Sequence, residues 1–297
     1  MLHSAPLKPG FIAPLLPTLV DEPPTGPGWI HEIKHDGWRV QLVIDGDRVR
    51  AFTRNGSDYS RQMAPVVRAA AELDYQSAII DGELIVQDDQ GRSDYHALRA
   101  AMTGEQHRLV FYAFDLLMID GHDLRRLPLV ARKERLAVLI GAHDPNFPIQ
   151  YSEALDVDPA QFLEAACAME LEGIVSKKAD SRYRSGRSTS WLKVKCYDEG
   201  EFVVLGAEHE PGKPAFALLG RQTDQGLDYA GSAFVTLGGE ERDHFWNEIE
   251  RLARPRAPLK IVGHKKARWA RPEMRVQVQH LKGAGMLRHA TVREIIR

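Results

Sequence analysis

The chain has 297 residues, 43% apolar and 27% charged, with a formal net charge of −2 at pH 7. That composition excludes a disordered or fibrous protein and leaves room for two domains. The two cysteines, Cys167 and Cys196, exclude a disulfide framework and a CxxC metal site.

Residues 1–28 are proline-rich and aperiodic, which predicts an extended lead-in on the surface. Arg39–Ile44 and Arg48–Arg54 flank Asp45-Gly46-Asp47 and predict a hairpin. Gln62–Leu73 has helical spacing. Ser77–Val86 is an apolar strand interrupted by Asp81-Gly82-Glu83, and Leu109–Met118 is a second buried strand containing Asp115. Leu129–Ile140 reads as an amphipathic helix. Asp158-Pro159, with Gln161 behind them, open another helix. It is expected to reach Leu171 and to bury Phe162, Ala166, Met169 and the thiol of Cys167. Gly173–Lys177 and Trp191–Lys195 are short strands. Beyond Asp198 the texture changes: Glu201–Gly206, Phe216–Arg221, Leu227–Val235, Leu259–Val262 and Met274–His280 read as short strands, with a helix over Glu240–Leu252. Five short strands in such a segment predict a small barrel of the OB type. The fold class expected is α+β, with domains at 1–198 and 199–297. No secretory pattern opens the chain, and no apolar run approaches the ~18–20 residues that cross a bilayer. The expected location is therefore cytoplasmic, without a membrane.

Charge is unevenly spread. Arg251–Arg297 holds 13 Lys/Arg and 2 Asp/Glu, a local +11, so the first 250 residues carry −13. Such asymmetry points to a polyanion-facing surface. Lys177–Lys195 is also basic, with seven Lys/Arg against Asp180.

The chemistry is concentrated in Glu32-Ile33-Lys34-His35-Asp36-Gly37-Trp38-Arg39. Lysine attacks only when neutral, and an ordinary ammonium leaves about one part in a thousand neutral near pH 7.4. A lysine nucleophile therefore needs cations or burial around it. Alone, KxDG is a weak match, and a surface lysine in a turn explains it as well. Further elements follow in order: Arg54-Asn55-Gly56, Asp81-Gly82-Glu83, Phe111 to Asp115, Glu172-Gly173 before a strand, and Lys193 and Lys195 on one strand face. Glu83 and Glu172 can hold a hard divalent cation with waters and phosphate oxygens. The lysines and arginines can neutralise a polyphosphate, and an aromatic face can stack a base.

This ordered set resembles the covalent nucleotidyltransferase superfamily, which includes ATP-dependent DNA ligases, RNA ligases and capping enzymes. The likeness is nearest to bacterial ATP-dependent DNA ligases, especially the ligase module of end-joining enzymes, and covers nearly the whole chain. The resemblance implies an ATP-grasp-like adenylation domain followed by an OB-fold domain. It implies Lys34 as the nucleophile that takes AMP from ATP. Glu32 would lie at the adenine edge, Arg39 and Arg54 near ribose or the DNA 5′-phosphate, and Phe114 on the adenine face. Glu83 would contact ribose and metal, and Glu172 would bind the metal, Mg²⁺ or Mn²⁺. Arg187, Lys193 and Lys195 would approach the phosphates. Trp191 reads as a packing anchor. Lys265, Lys266, Arg268 and Arg288 are candidate DNA contacts. The partners implied are double-stranded DNA with nicks or ends, a Ku-like end-binding protein and a companion polymerase, for a nucleoid-associated monomer. One departure stands out: Arg288-His289 resembles the start of the family's closing basic motif, but no Asp-Lys pair follows Arg293. RNA ligase, capping-type transfer and a non-catalytic DNA-binding module are the alternative functions.

Overall fold

The computed structural model describes residues 8–141, 144, 146–282 and 285–296. The chain divides into two compact units, Met1–Lys195 and Cys196–Arg297.

The first unit runs β1 (Leu15–Leu19), β2 (Trp29–Ile33), β3 (Trp38–Asp45), β4 (Arg48–Thr53), α1 (Ala64–Ala71), β5 (Ser77–Val86), α2 (Tyr95–Ala101), β6 (Leu109–Ile119), β7 (His122–Asp123), α3 (Leu129–Ile140), β8 (Ile149–Tyr151), α4 (Pro159–Ala168), β9 (Gly173–Lys178) and β10 (Gly186–Lys195). These strands form two sheets. One has the order β4-β3-β5-β6-β7, with β8 also paired to β6; the other has the order β1-β10-β9-β2. Leu42 and Val43 are adjacent and both fully buried, yet they serve different cores. Leu42 packs with Val66 of α1, Leu98 of α2 and Leu136 of α3. Val43 packs with Leu15, Phe114 and Trp191, in the core shared with the second sheet. A strand covered on both faces reads as a continuous apolar run, which is why the central strands show no alternation.

The predicted hairpin forms, with Asp45 paired to Arg48. Asp158 caps α4, accepting from Gln161 N at 2.8 Å. Three expectations change. The lead-in is not merely a surface segment: its first seven residues lie outside the described range, but Leu15 of β1 is fully buried and the strand pairs in parallel with β10. Helix α4 stops at Ala168, because Glu170 turns into the left-handed region at φ +57; Met169 is left exposed and Phe162 half-buried. Cys167 is half-buried and is not a free thiol, in place of the expected buried thiol.

Asp115 is tolerated in the buried β6 because Arg132 of α3 meets it with two bonds, at 2.7 and 2.8 Å. The same guanidinium donates to the carbonyls of Leu127 and Ser181, which leaves the buried pair well satisfied.

The second unit runs β11 (Tyr197–Glu208), β12 (Phe216–Thr223), β13 (Gly226–Val235), α5 (Gly239–Arg251), β14 (Ala253–Arg254), β15 (Arg268–Ala270), β16 (Arg275–Leu281) and β17 (Thr291–Ile296). Five of its strands close on themselves in the order β11-β12-β13-β17-β16 and back to β11. β13 and β17 are parallel, and Phe245 and Ile249 of α5 join the core. The predicted strand Leu259–Val262 is absent: that stretch is irregular, and Val262 is 89% exposed. Its place in the barrel is taken by β17, whose Val292 is buried. Among the described residues, no helix is long and apolar enough to cross a membrane.

Candidate active site

A cavity of about 520 Å³ lies between the two sheets of the first unit. β2 brings Glu32, the turn behind it Lys34 and His35, β3 Arg39, β5 Glu83, β6 Phe114, β9 Lys177, and β10 Trp191 and Lys193. Arg54 reaches the cavity from the turn after β4.

Lys34 is fixed at both ends. Its amide donates to Gly173 O at 2.9 Å, and its ammonium pairs with Glu172. Two glycines make this approach possible. A Cβ on Gly37 would lie 2.1 Å from Leu84 O, and one on Gly173, at φ +142, would lie 2.0 Å from Val194 O. Glu172 also pairs with Lys195 at 3.0 Å. Burial raises the Glu172 carboxyl, but Lys34 and Lys195 outweigh it and hold the group below its ordinary value. Lys193 lines the cavity; burial, with Lys34 and Lys195 nearby, lowers its ammonium.

Glu83 has no hydrogen bond or ion pair among the described residues. Burial pushes its carboxyl up to about 7, with Glu172 and Asp81 adding to the shift against Lys34 and Arg39. Glu32 is 2% exposed and receives Lys177 at 2.7 Å, Lys133 at 2.9 Å and the Ser152 hydroxyl at 3.1 Å. Burial raises that carboxyl, and the two ammonium groups more than reverse the effect. Lys177 in turn is lowered to about 8, by burial and then by Lys133, against Glu32. It sits 4.4 Å from the centre of the Phe114 ring and 4.2 Å from that of Trp191.

Arg39 holds Asp81 with two bonds, at 2.6 and 2.8 Å, and its guanidinium lies 4.3 Å from the Phe114 centroid. The Tyr183 hydroxyl donates to Asp81 at 2.5 Å and accepts from Leu15 N at 3.0 Å. His35 stacks on Tyr112 with centroids 4.1 Å apart.

The structure thus gathers Lys34, Glu32, Arg39, Arg54, Glu83, Phe114 and Lys193 around one cavity, with Glu172 and Lys195 bound to Lys34 or to each other. Arg187 is exposed on β10 and does not line the cavity, although its charge acts on Lys193. Sequence reading missed Lys133, Lys177 as a partner of Glu32, the Asp81–Tyr183 bond and the His35 stack. The one available signal was a buried carboxylate's need for a cation, which names the need and not the partner.

In the second unit, Lys266 and Arg268 share a groove with Arg254 and Trp269. Lys266 pairs with Glu210 at 3.2 Å, and Arg268 with Glu250. Lys265 is exposed, and Arg288 lies between β16 and β17, half-buried, where burial lowers its guanidinium.

Burial keeps the His35 imidazole neutral down to about pH 4, with Lys34 and Lys177 adding to the effect. The unfolded chain binds that proton near pH 6.5. Between pH 6.5 and 4 the unfolded state therefore holds more protons, and stability falls as pH falls. His35→Phe, which can keep the stack on Tyr112, is expected to lose about 5 °C less in melting temperature over that interval than the parent. Parallel melting curves would exclude this contribution.

Fold and cavity together place a lysine against buried carboxylates in a cleft of about 520 Å³. The family model described as ATP dependent DNA ligase domain matches residues 20–195, and the chain belongs to that family. It is 33% identical, over 97% of its length, to the multifunctional non-homologous end joining protein LigD of Pseudomonas aeruginosa, and spans 35% of that protein. It is 36% identical to a probable DNA ligase of Streptomyces avermitilis, over 70% of this chain and 42% of the relative. The chain thus spans about a third to two fifths of these curated relatives. Among solved structures, the ligase domain of LigD from M. tuberculosis is 28% identical with a TM-score of 0.58, covering 96% of this chain and 94% of that one. A mycobacterial DNA ligase D complexed with ATP and MES is 26% identical with a TM-score of 0.60, at the same coverages.

Proposed function

We propose that this chain is an ATP-dependent DNA ligase that joins a 5′-phosphate to a 3′-hydroxyl at nicks or ends, in end joining. The observation that carries this reading is the Lys34–Glu172 pair, whose lysine lines one cavity with Glu83, Lys193 and Phe114. We assign adenylation to residues 1–198 and an OB fold to 199–297. The closed five-strand order and the parallel β13–β17 pair support the second assignment.

Lys34 Nζ, once neutral, attacks the α-phosphorus of ATP; a P–N bond forms and the bond to pyrophosphate breaks. A DNA 5′-phosphate oxygen then attacks the lysyl-adenylate and Lys34 leaves. Finally the 3′-hydroxyl attacks the 5′-phosphorus and AMP departs. Each step is a displacement at phosphorus, where Lys193, Lys195 and Arg54 can meet the developing charge. Glu172 holds the Lys34 ammonium before attack and is the acceptor beside it for the proton it gives up, and Phe114 offers the base an aromatic surface. Glu32, held by two lysines, presents a fixed carboxylate at the cavity floor. Glu83, with Glu172 near it, fits a divalent cation, Mg²⁺ or Mn²⁺: no protein cation pairs with it among the described residues, and its raised carboxyl would be held ionised by one. Such an ion, when bound, would supply positive charge against the negative charge developing on phosphate. Lys265, Lys266, Arg268, Arg288 and Arg187 are proposed DNA-phosphate contacts. A Ku-like end-binding protein and a polymerase are the proposed partners, on the end-joining names of the longer relatives.

The test incubates the protein with ATP or GTP labelled at the α-phosphate, and separately with nicked duplex, ATP and Mg²⁺. Label from ATP that survives denaturing electrophoresis, with sealed product in the second assay, is expected. Labelling by GTP alone would move the chain to capping-type transfer, and labelling with ATP that seals only nicked RNA would move it to RNA ligation.

A further inference from the structure

The hairpin between β5 and α2, residues 87–94, belongs to none of the motifs above. It is closed on itself. Asp88 N donates to Arg92 O at 2.8 Å, and Arg92 N and Nε donate to the two oxygens of the Asp88 carboxylate, each at 2.8 Å. Three tethers leave it for the segments around Lys34 and Glu172. Gln87 Nε2 donates to the Tyr112 hydroxyl at 3.1 Å, and Tyr112 is the ring on which His35 stacks. Ser93 Oγ accepts from Asp36 N at 3.3 Å. Arg92 pairs with Glu170, a non-glycine residue at φ +57.

His35 and Asp36 are the two residues after Lys34, and Glu170 is two residues before Glu172. The hairpin thus grips both loops that bring the lysine and its carboxylate together. Those loops are also joined to each other through Lys34 N to Gly173 O and through the Lys34–Glu172 pair. A left-handed Glu170 is disfavoured by its Cβ and persists only where its surroundings hold it. Attack at phosphorus needs the nucleophile in line, and a misplacement of about 1 Å can cost a hundredfold in rate.

We propose that the 87–94 hairpin is a positioning element, with Arg92 and Gln87 its principal residues, that holds the Lys34 loop and the Glu170–Gly173 turn in the geometry for self-adenylation. The proposal rests on the reading of Lys34 as nucleophile. Neither Arg92 nor Gln87 lines the cavity: Gln87 acts through Tyr112 and His35, and Arg92 through Glu170.

The test is single-turnover labelling by ATP and Mg²⁺ of the parent, Arg92→Ala, Arg92→Lys and the Gln87→Ala/Arg92→Ala double variant. At saturating ATP the rate constant is expected to fall about tenfold in Arg92→Ala and further in the double variant. The fraction of protein labelled at completion and the ATP concentration for half-maximal rate stay within about twofold of the parent. Arg92→Lys restores most of the rate, since an ammonium can still meet Glu170. Should Arg92→Ala fail to fold, Tyr112→Phe keeps the ring under His35 and removes only the acceptor of Gln87; it is expected to lose about threefold in rate constant. A double variant with the parental rate constant, or a loss confined to the labelled fraction, overturns the proposal, because the hairpin would then serve the fold alone. A parent that takes no label from ATP overturns the nucleophile reading and this proposal with it. A labelled parent whose variants keep its rate overturns the positioning role only.

Discussion

Lys34→Ala is expected to lose self-adenylation by a factor of about 10⁴ or more, measured as label from ATP retained by the denatured protein. No other group in the cavity can form the same bond in its place, since Lys193 and Lys195 leave from a different strand and Lys177 is committed to Glu32. Stability should change little: Glu172 keeps Lys195 at 3.0 Å, and the backbone bond from residue 34 to Gly173 survives. Lys34→Arg sharpens the test. A guanidinium can keep the pair with Glu172, yet it stays protonated and cannot act as a nucleophile. It should be as inactive as the alanine variant. Parental labelling in either variant would end the mechanism.

The largest effect on stability is expected at Asp81. Its carboxylate is fully buried, held by two bonds from Arg39 and one from Tyr183. Asp81→Ala leaves the Arg39 guanidinium in the cavity wall without its counter-ion. Breaking a buried pair from one side costs about 3–5 kcal/mol, a large share of the roughly 5–15 kcal/mol that holds a domain folded. Urea unfolding midpoints read this directly. Arg39→Met combined with Asp81→Ala removes both charges and should recover much of the loss, because the remaining methionine packs on Phe114 with nothing left to neutralise. Tyr183 loses its acceptor in both variants, so the difference between them isolates the unpaired charge. A double variant as unstable as the sum of the two single ones would show that the pair is not coupled.

The two experiments probe different parts of one cleft. Lys34 reports on chemistry at a loop, and Asp81 on the wall that holds Arg39 over Phe114. The second sheet contributes β9 and β10 to the same wall, which is why Trp191, far from Phe114 in sequence, meets it edge-on with centroids 5.9 Å apart.

The sequence by itself determined the local elements and the chemical types at the site. Two-residue hairpin chemistry placed β3 and β4, helical spacing placed α3, and an Asp-Pro cap placed the start of α4. These signals are local, since each depends on residues within a turn or two of one another. The order of Lys34, Glu83, Phe114, Glu172 and Lys193 was legible for a similar reason: Lys34 and Glu172 flank strand ends beside glycines, and Glu83, Phe114 and Lys193 stand within strands that the sequence itself marks. Tertiary structure alone decided the partners. Lys133 sits in a helix whose charged neighbours read as a solvated face, yet its ammonium is buried on Glu32, about a hundred positions away. That Asp81 needed a cation was readable, but the identity of Arg39 depended on β3 lying beside β5. The choice between Leu259–Val262 and β17 as a barrel strand was likewise beyond local pattern. A strand is fixed by the edge it pairs with, and β17 finds open edges on β16 and β13. Pairing and burial are properties of chain crossings, and no window of sequence contains both sides of a crossing.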